Sequence, residues 1–423
     1  MVVLNFIVNE IFGQGAIFLA LIALVGLVLQ KKPFSDVVRG TMMTAIGYFV
    51  LTTGTGLIVG SSIDGLSAAF STLLPAANNA KDIDMTGYGT QIGIVMLIAF
   101  LINLLVARFT KWKSVFLTGH MLYWFPYVFI AAGVDAGLSG IKLLVVATVF
   151  TAAYMIISPN LMRPLVREVT GSDEFTIGHP TTCLSLLTGY LGKLVGDKSK
   201  STEDLKISKN LGFLREVSLT GSIVIALVYI VMAILLRVNG MIPGDVWGYT
   251  GGNTGIFTYI FTKSIYFGVG MTIMLLGVRM LIGEIVPAFQ GIAEKVVPGA
   301  IPALDCPVIF NFAPNALIIG FIVAMITSTI TIILTAGMFP TIIIPLVVTC
   351  FFENGCAAII GNATGGVRGC IIGTALNGIV MVLLVGFGSY FFSHTIGNWM
   401  LVYGGQDFSL WGMVVGTVSR LLA

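Results

Sequence analysis

The chain reads as a succession of apolar runs of bilayer length, separated by short polar stretches. Runs near 12–30, 40–60, 92–107, 114–133, 141–158, 217–236, 264–282, 315–336, 341–360, 370–392 and 408–423 approach the roughly 20 residues a helix needs to cross a bilayer. They predict an all-α polytopic membrane protein with about 11 transmembrane helices, a single membrane domain over 1–423. The run across 337–369 is the most interrupted, by Pro340, Pro345, Glu353, Asn354 and Arg368.

Two stretches fit neither a span nor a solvated loop. Glu168–Gly192 carries Gly178-His179-Pro180-Thr181-Thr182 and then a Leu-rich segment. Gly283–Ala313 interleaves Glu284, Pro287, Pro298, Pro302, Asp305 and Pro307 with Ile, Val and Ala. Each is too apolar for a linker and too proline-broken for a full crossing. The expectation is a re-entrant hairpin over 168–192 and another over 283–313, since irregular backbone at membrane depth needs protein or a water-filled cavity to cover it. One in each half of the chain suggests inverted repeats whose broken elements meet at a midplane binding site. Between them, 193–214 is the one strongly polar stretch, expected as a cytoplasmic loop. Its Ser201-Thr202-Glu203-Asp204 is suited to starting a short helix.

Charge sets the expected orientation. Lys31, Lys32, Arg39, Arg108, Lys111, Lys113 and the eight basic residues of 159–215 make fourteen of the 22 Lys and Arg, all on one side of an 11-span topology. The opposite loops carry only Lys81, Arg237 and Lys263. By the positive-inside bias the N-terminus is external and the C-terminus cytoplasmic. Composition agrees with a membrane protein: 57% of residues are hydrophobic and 10% charged, against about 25% charged in soluble domains. A scattered net charge of +3 gives no nucleic-acid footprint. No cleavable signal peptide is expected, because the first apolar run lacks a basic region before it and a small-residue cleavage site after it.

Little in the chain points to cofactor or metal chemistry. Cys183, Cys306, Cys350, Cys356 and Cys370 show no CxxC spacing, and with three His no structural metal site and no cofactor is expected. Phosphate-cradling, dinucleotide and HExxH signatures are absent. Energy for transport must come from an ion gradient, a separate subunit or nothing.

Ionisable groups inside a membrane are expensive, so each is a candidate for function. His120 opens Met121-Leu122-Tyr123-Trp124, where one helical face offers an imidazole, a phenol and an indole to a polyhydroxylated ring. The alternative is an interfacial aromatic belt, with His120 bonded to a carbonyl. His179 lies in a Gly-His-Pro turn that projects its ring. Asp305, in Leu-Asp-Cys-Pro, either accepts sugar hydroxyls or pairs with Arg279; Arg279 and Glu284 could equally pair with each other. Arg368 is favoured as structural.

The runs GVRMLIGEIVPAFQGIAEKVVPGAIPALDCPVIFNFAPNAL (277–317), EVTGSDEFTIGH (168–179), KSVFLTGHMLYW (113–124) and VVRGTMMTAIGYFVLTTGTGL (37–57) closely resemble the membrane IIC component of the bacterial ascorbate-type phosphotransferase system. The resemblance implies a homodimer of 11-span protomers, each with a dimerising domain and a mobile core that carries its substrate by rigid-body, elevator-type movement. The substrate, L-ascorbate or a related carbohydrate, would be phosphorylated on entry by a separate IIB protein charged through IIA; on its own the chain would be no enzyme. The family's binding motif in span four falls on His120, Met121, Leu122, Tyr123 and Trp124. Its first-hairpin motif falls on His179 and Pro180, and its second-hairpin acid on Asp305, which is also the candidate base. Where the pattern has Gln, this chain has Trp124 and Pro180, which alters hydroxyl recognition. Binding residues of the external 61–91 loop cannot be placed beyond Thr86 and Tyr88. The competing reading is an ion-coupled secondary transporter with Asp305 or His179 as the titrating group.

Overall fold

A computed structural model describes residues 14–73, 83, 85–205, 216–249, 255–335, 337–339, 343, 346–392, 394–396 and 404–423, together with Phe6 and Glu10. The described chain is overwhelmingly helical, as expected for an all-α polytopic membrane protein. In order it comprises α1 (Gly15–Leu29), α2 (Phe34–Gly56), α3 (Asp64–Leu73), α4 (Gly89–Phe109), α5 (Gly119–Asp135), α6 (Gly140–Thr170), α7 (Thr182–Val195) and α8 (Val217–Val238). There follow α9 (Pro243–Val246), α10 (Ile256–Lys295), α11 (Pro314–Leu334), α12 (Val347–Phe351), α13 (Glu353–Phe392) and α14 (Asp407–Leu422). A π-helical stretch, Leu57–Ile63, joins α2 to α3.

Among the described residues, seven helices are long and apolar enough to cross a membrane, and three shorter apolar helices accompany them. Some boundaries differ from those of the sequence pattern. The run at 264–282 is the middle of the 40-residue α10, which continues into the stretch expected to form the second hairpin and ends at Lys295. Pro287 lies inside that helix without ending it. By contrast α13 is two helical segments that meet at a non-helical break, Gly365 (φ −150°) and Gly366 (φ 60°), between the expected runs at 341–360 and 370–392.

The helices form two packed sets. In one, α10 packs along α1, α2 and α8; in the other, α13 packs against α7 and α11, with α4, α5, α6 and α14 around them. Small residues let backbones touch in both sets, the packing mode available to helices surrounded by lipid. A Cβ on Gly277 of α10 would lie 2.2 Å from the Leu51 nitrogen of α2, and one on Gly192 of α7 would lie 2.4 Å from Thr364 Oγ1 of α13.

Three short parallel strands, absent from the sequence expectation, join distant parts of the chain. They are β1 (Ser114–Phe116), β2 (Thr176–Ile177) and β3 (Ile301–Leu304), in the order β1-β3-β2. Phe116 and Thr176 both face Ala303 in the register. The backbone here cannot bond to itself as a helix does, so each stretch satisfies the others. Side chains complete the edges. Asn103 of α4, almost fully buried, donates from Nδ2 to the Ser114 carbonyl (3.1 Å) and accepts the Phe116 N–H at Oδ1 (2.9 Å). It also reaches the Met155 carbonyl (3.4 Å), whose helical partner would be the N–H that Pro159 lacks.

After α7 the chain forms a polar loop tied to the bend of α13. Asp197 N–H donates to Gly365 O and Val367 N–H to Lys200 O, both at 2.8 Å. The expected helical start at 201–204 is a single 3₁₀ turn, Thr202–Asp204, capped by Ser201 Oγ. Glu203 then accepts the backbone N–H groups of Asn315 and Ala316 at 3.1 Å, where the first turn of α11 has spare donors. Hydrogen bonds from Ser199 and Lys200 hold the exposed Asp197 carboxyl below its usual range. Residues 206–214 of the expected 193–214 loop lie outside the described residues.

Candidate functional site

The site builds outward from the ends of β2 and β3. Chain leaving β2 enters Gly178-His179-Pro180, and chain leaving β3 enters Asp305-Cys306-Pro307. Parallel pairing of Ile177 with Leu304 therefore carries His179 and Asp305 to the same end of the sheet. Gly178 N–H donates to Leu304 O at 2.8 Å. A side chain at Gly178 would press within 3.0 Å of the Phe116 ring and 3.1 Å of Ala303 Cβ, so a larger residue there would push the histidine turn off the sheet.

His179 Nε2 lies 3.3 Å from Asp305 Oδ1. On its other side, His179 Nδ1 lies 3.9 Å from Glu353 Oε1, at the start of α13. The histidine side chain is 6% exposed and that of Glu353 5%. Asp305 is oriented by its own turn: Oδ1 accepts the Cys306 N–H at 2.7 Å and caps the 3₁₀ turn Cys306–Ile309. His179, Asp305 and Cys306 place a side-chain nitrogen, oxygen and sulfur within 4.8 Å of one another.

A second acid braces the histidine turn from behind. Asp407 accepts the N–H groups of Thr182 (2.9 Å, Oδ2) and Cys183 (2.7 Å, Oδ1), capping α7 from the far end of the chain. The Tyr154 hydroxyl of α6 lies 2.7 Å from Asp407 Oδ2 and 3.0 Å from the His179 carbonyl oxygen, so its proton serves the same turn. Thr181 Oγ1 donates to the Glu353 carbonyl (2.6 Å), and the Ser158 and Thr182 hydroxyls bond each other.

The sequence-predicted residues divide. His179 and Asp305 come together. Pro180 is buried, and its carbonyl accepts the Asp407 N–H at 3.1 Å. Arg279, the expected partner of Asp305 or Glu284, is engaged elsewhere: it donates to Asn311 Oδ1 (3.0 Å), and Glu284 pairs with Arg39 (3.0 Å). In α5, Met121 and Leu122 are buried in the core. Tyr123 and Trp124 meet edge-to-face at 5.1 Å, and Tyr127 lies against both. His120 opens α5, but its side chain lies outside the described residues, as does that of Thr86; Tyr88 ends a 3₁₀ turn before α4. Sequence reasoning missed Glu353, Asp407 and Tyr154 as neighbours of His179. Glu353 did stand out as a break in an apolar run, whereas Asp407 looked like an ordinary polar residue before a span.

A family model described as "PTS system sugar-specific permease component" matches residues 10–406. The chain belongs to this family. The permease is 26% identical over 459 residues, 95% of its own length and 69% of the relative's, to the ascorbate-specific PTS system EIIC component of Mycoplasma pneumoniae. It is thus the membrane IIC component of a sugar phosphotransferase system, a class that works with IIA and IIB proteins. Its long apolar helices make it a multi-pass membrane protein.

Proposed function

We propose that this permease carries L-ascorbate or a closely related polyhydroxylated acid, and that a separate IIB protein phosphorylates the substrate as it arrives at the cytoplasmic face. The observation that carries the reading is the buried group of His179, Asp305 and Glu353 where the two proline-broken stretches join. An imidazole beside carboxyl acceptors, enclosed by apolar surface, suits a ring bearing several hydroxyls. Asp305 is then a substrate ligand and the base that takes the hydroxyl proton as the new P–O bond forms. Tyr123 and Trp124 add an aromatic face for the substrate, His120 is a further substrate ligand, and Pro180 fixes the histidine turn. The name of the Mycoplasma relative supports ascorbate as the reference substrate.

In this reading 168–192 and 283–313 are the re-entrant hairpins of an inverted repeat. The set of helices around α13 is the moving core, and the set around α10 holds a homodimer. Rigid-body movement of the core is supported by the ties among β1, β2, β3, α7 and α13, which bind the site into one packed unit. The N-terminus is external, and the loop after α7 is cytoplasmic, where IIB docks.

The test is uptake of labelled L-ascorbate into vesicles that hold the permease with its IIA and IIB proteins. Uptake should require phosphoenolpyruvate and yield phosphorylated product. Accumulation of unmodified substrate that collapses with a proton or sodium gradient would select ion-coupled transport instead.

A further inference from the structure

Glu353 is the buried acid on the opposite side of the His179 ring from Asp305. Its side chain is 5% exposed, and Oε2 has no hydrogen-bond partner among the described residues. Burying a carboxyl without full pairing is costly, and a purely structural acid is normally satisfied on both oxygens. The nearby Asp407 follows that rule, bonding two amides and a phenol through its two oxygens. Glu353 begins α13, directly after the break from α12, so its backbone is placed by the helix end. Its carbonyl is held by Thr181, two residues beyond His179. This pins the Glu353 backbone to the histidine turn, and its Oε1 faces Nδ1 at 3.9 Å.

An imidazole has two nitrogens, and whichever partner each one meets decides where the ring's proton or protons sit. Asp305 faces Nε2 and Glu353 faces Nδ1; on the main-chain side of the turn stand Tyr154 and Asp407, and Cys306 lies beside Asp305.

We propose that Glu353 is a positioning residue for His179: from the helix break its carboxyl faces Nδ1 at ion-pair distance, so that the ring's orientation and proton placement at Nε2, toward Asp305 and the substrate, depend on it. The inference rests on the site as read above, but it concerns the state of His179 and is measurable without substrate. The three parts of the constellation come from 179, 305 and 353, so the ring is aligned only when both proline-broken stretches and the α12–α13 break are assembled. A core built in this way presents its substrate groups as a unit.

The experiment uses the full-length permease in lipid nanodiscs with ring-¹⁵N histidine. Only three histidines contribute, and His120→Asn and His394→Asn identify the His179 signals. Glu353→Leu removes the carboxyl and Glu353→Gln keeps its shape and one acceptor oxygen. The expected result is a changed protonation pattern of the His179 ring in Glu353→Leu, with a smaller change in Glu353→Gln and the other two histidines unmoved. If Glu353→Leu fails to fold, Glu353→Gln decides by the same readout. His179 signals at their wild-type positions in every folded variant overturn the inference.

Titration with L-ascorbate on the same samples separates the two readings. Wild-type protein that does not bind L-ascorbate removes that substrate, while the ring signals still report on Glu353. Where it binds, Glu353→Leu should lose about tenfold in affinity and Glu353→Gln less.

Discussion

Asp407 Oδ2 accepts the backbone N–H of Thr182 at 2.9 Å across 225 positions of sequence. The last described helix thereby caps the helix that follows the histidine turn. Removing this carboxylate strands the Thr182 and Cys183 amide hydrogens and leaves the Tyr154 hydroxyl with the His179 carbonyl alone. Asp407→Ala should cost about 2–4 kcal/mol, the sum of a lost helix cap and the unpaired donors it leaves. Asp407→Asn should recover part of that, since its one carbonyl oxygen can serve one amide. Thermal unfolding of the detergent-purified protein checks both; equal stability of Asp407→Ala and wild type would refute the capping role.

Asp305 carries two jobs that substitution can separate. Its Oδ1 caps the turn at Cys306 and stands 3.3 Å from His179 Nε2. Asp305→Asn keeps the shape and one acceptor, so substrate binding should weaken moderately while phosphorylation, which needs a proton acceptor, falls further. Asp305→Ala should abolish both. The measurement pairs L-ascorbate binding with product formation, and normal values for both variants would remove Asp305 from the site.

Trp124 should govern which substrate is accepted. Its ring lies in an aromatic group with Tyr123 at 5.1 Å and Tyr127 at 5.5 Å. An indole offers a flat apolar face where an amide offers directed hydrogen bonds, so Trp124→Gln should shift the substrate profile toward L-ascorbate. Competition among ring acids and sugars reads this out. A profile unchanged in both Trp124→Gln and Trp124→Ala would make the residue packing alone.

Gly366 is required by its backbone. At φ 60° a side chain is strained, and a Cβ would stand 2.2 Å from the Asp197 carbonyl oxygen. Gly366→Ala should destabilise by at least about 1–3 kcal/mol through strain and release the 197–200 loop from α13. Limited proteolysis at that loop should accelerate; cleavage at the wild-type rate would show that the loop is held by other means.

The orientation is open to direct measurement. The Lys200 side chain is largely exposed in the loop after α7, paired with Asp197 at 3.2 Å. A cysteine substituted for Lys200, on a background free of native cysteines, should resist an impermeant thiol reagent added to intact cells. Labelling from outside would reverse the assigned topology.

The membrane class was written in composition and run length, because a bilayer demands long apolar stretches wherever the chain crosses it. His179 and Asp305 were legible for the same reason: a polar group in an apolar, proline-broken stretch has no cheap explanation. That the two broken stretches meet was expected, but the contact of His179 with Asp305 was not legible, because it depends on β2 and β3 pairing in one register, and strands of two and four residues leave almost no periodic trace. The length of α10 was not legible, since Pro287 looks like a stop but is accommodated inside a packed helix. Glu353, Asp407 and Tyr154 acquire their roles only through separations of 174, 228 and 25 residues from His179. Sequence determines which groups are too costly to leave in lipid; tertiary packing decides which of them satisfy one another, because hydrogen bonds act over about 3 Å of space whatever the distance along the chain.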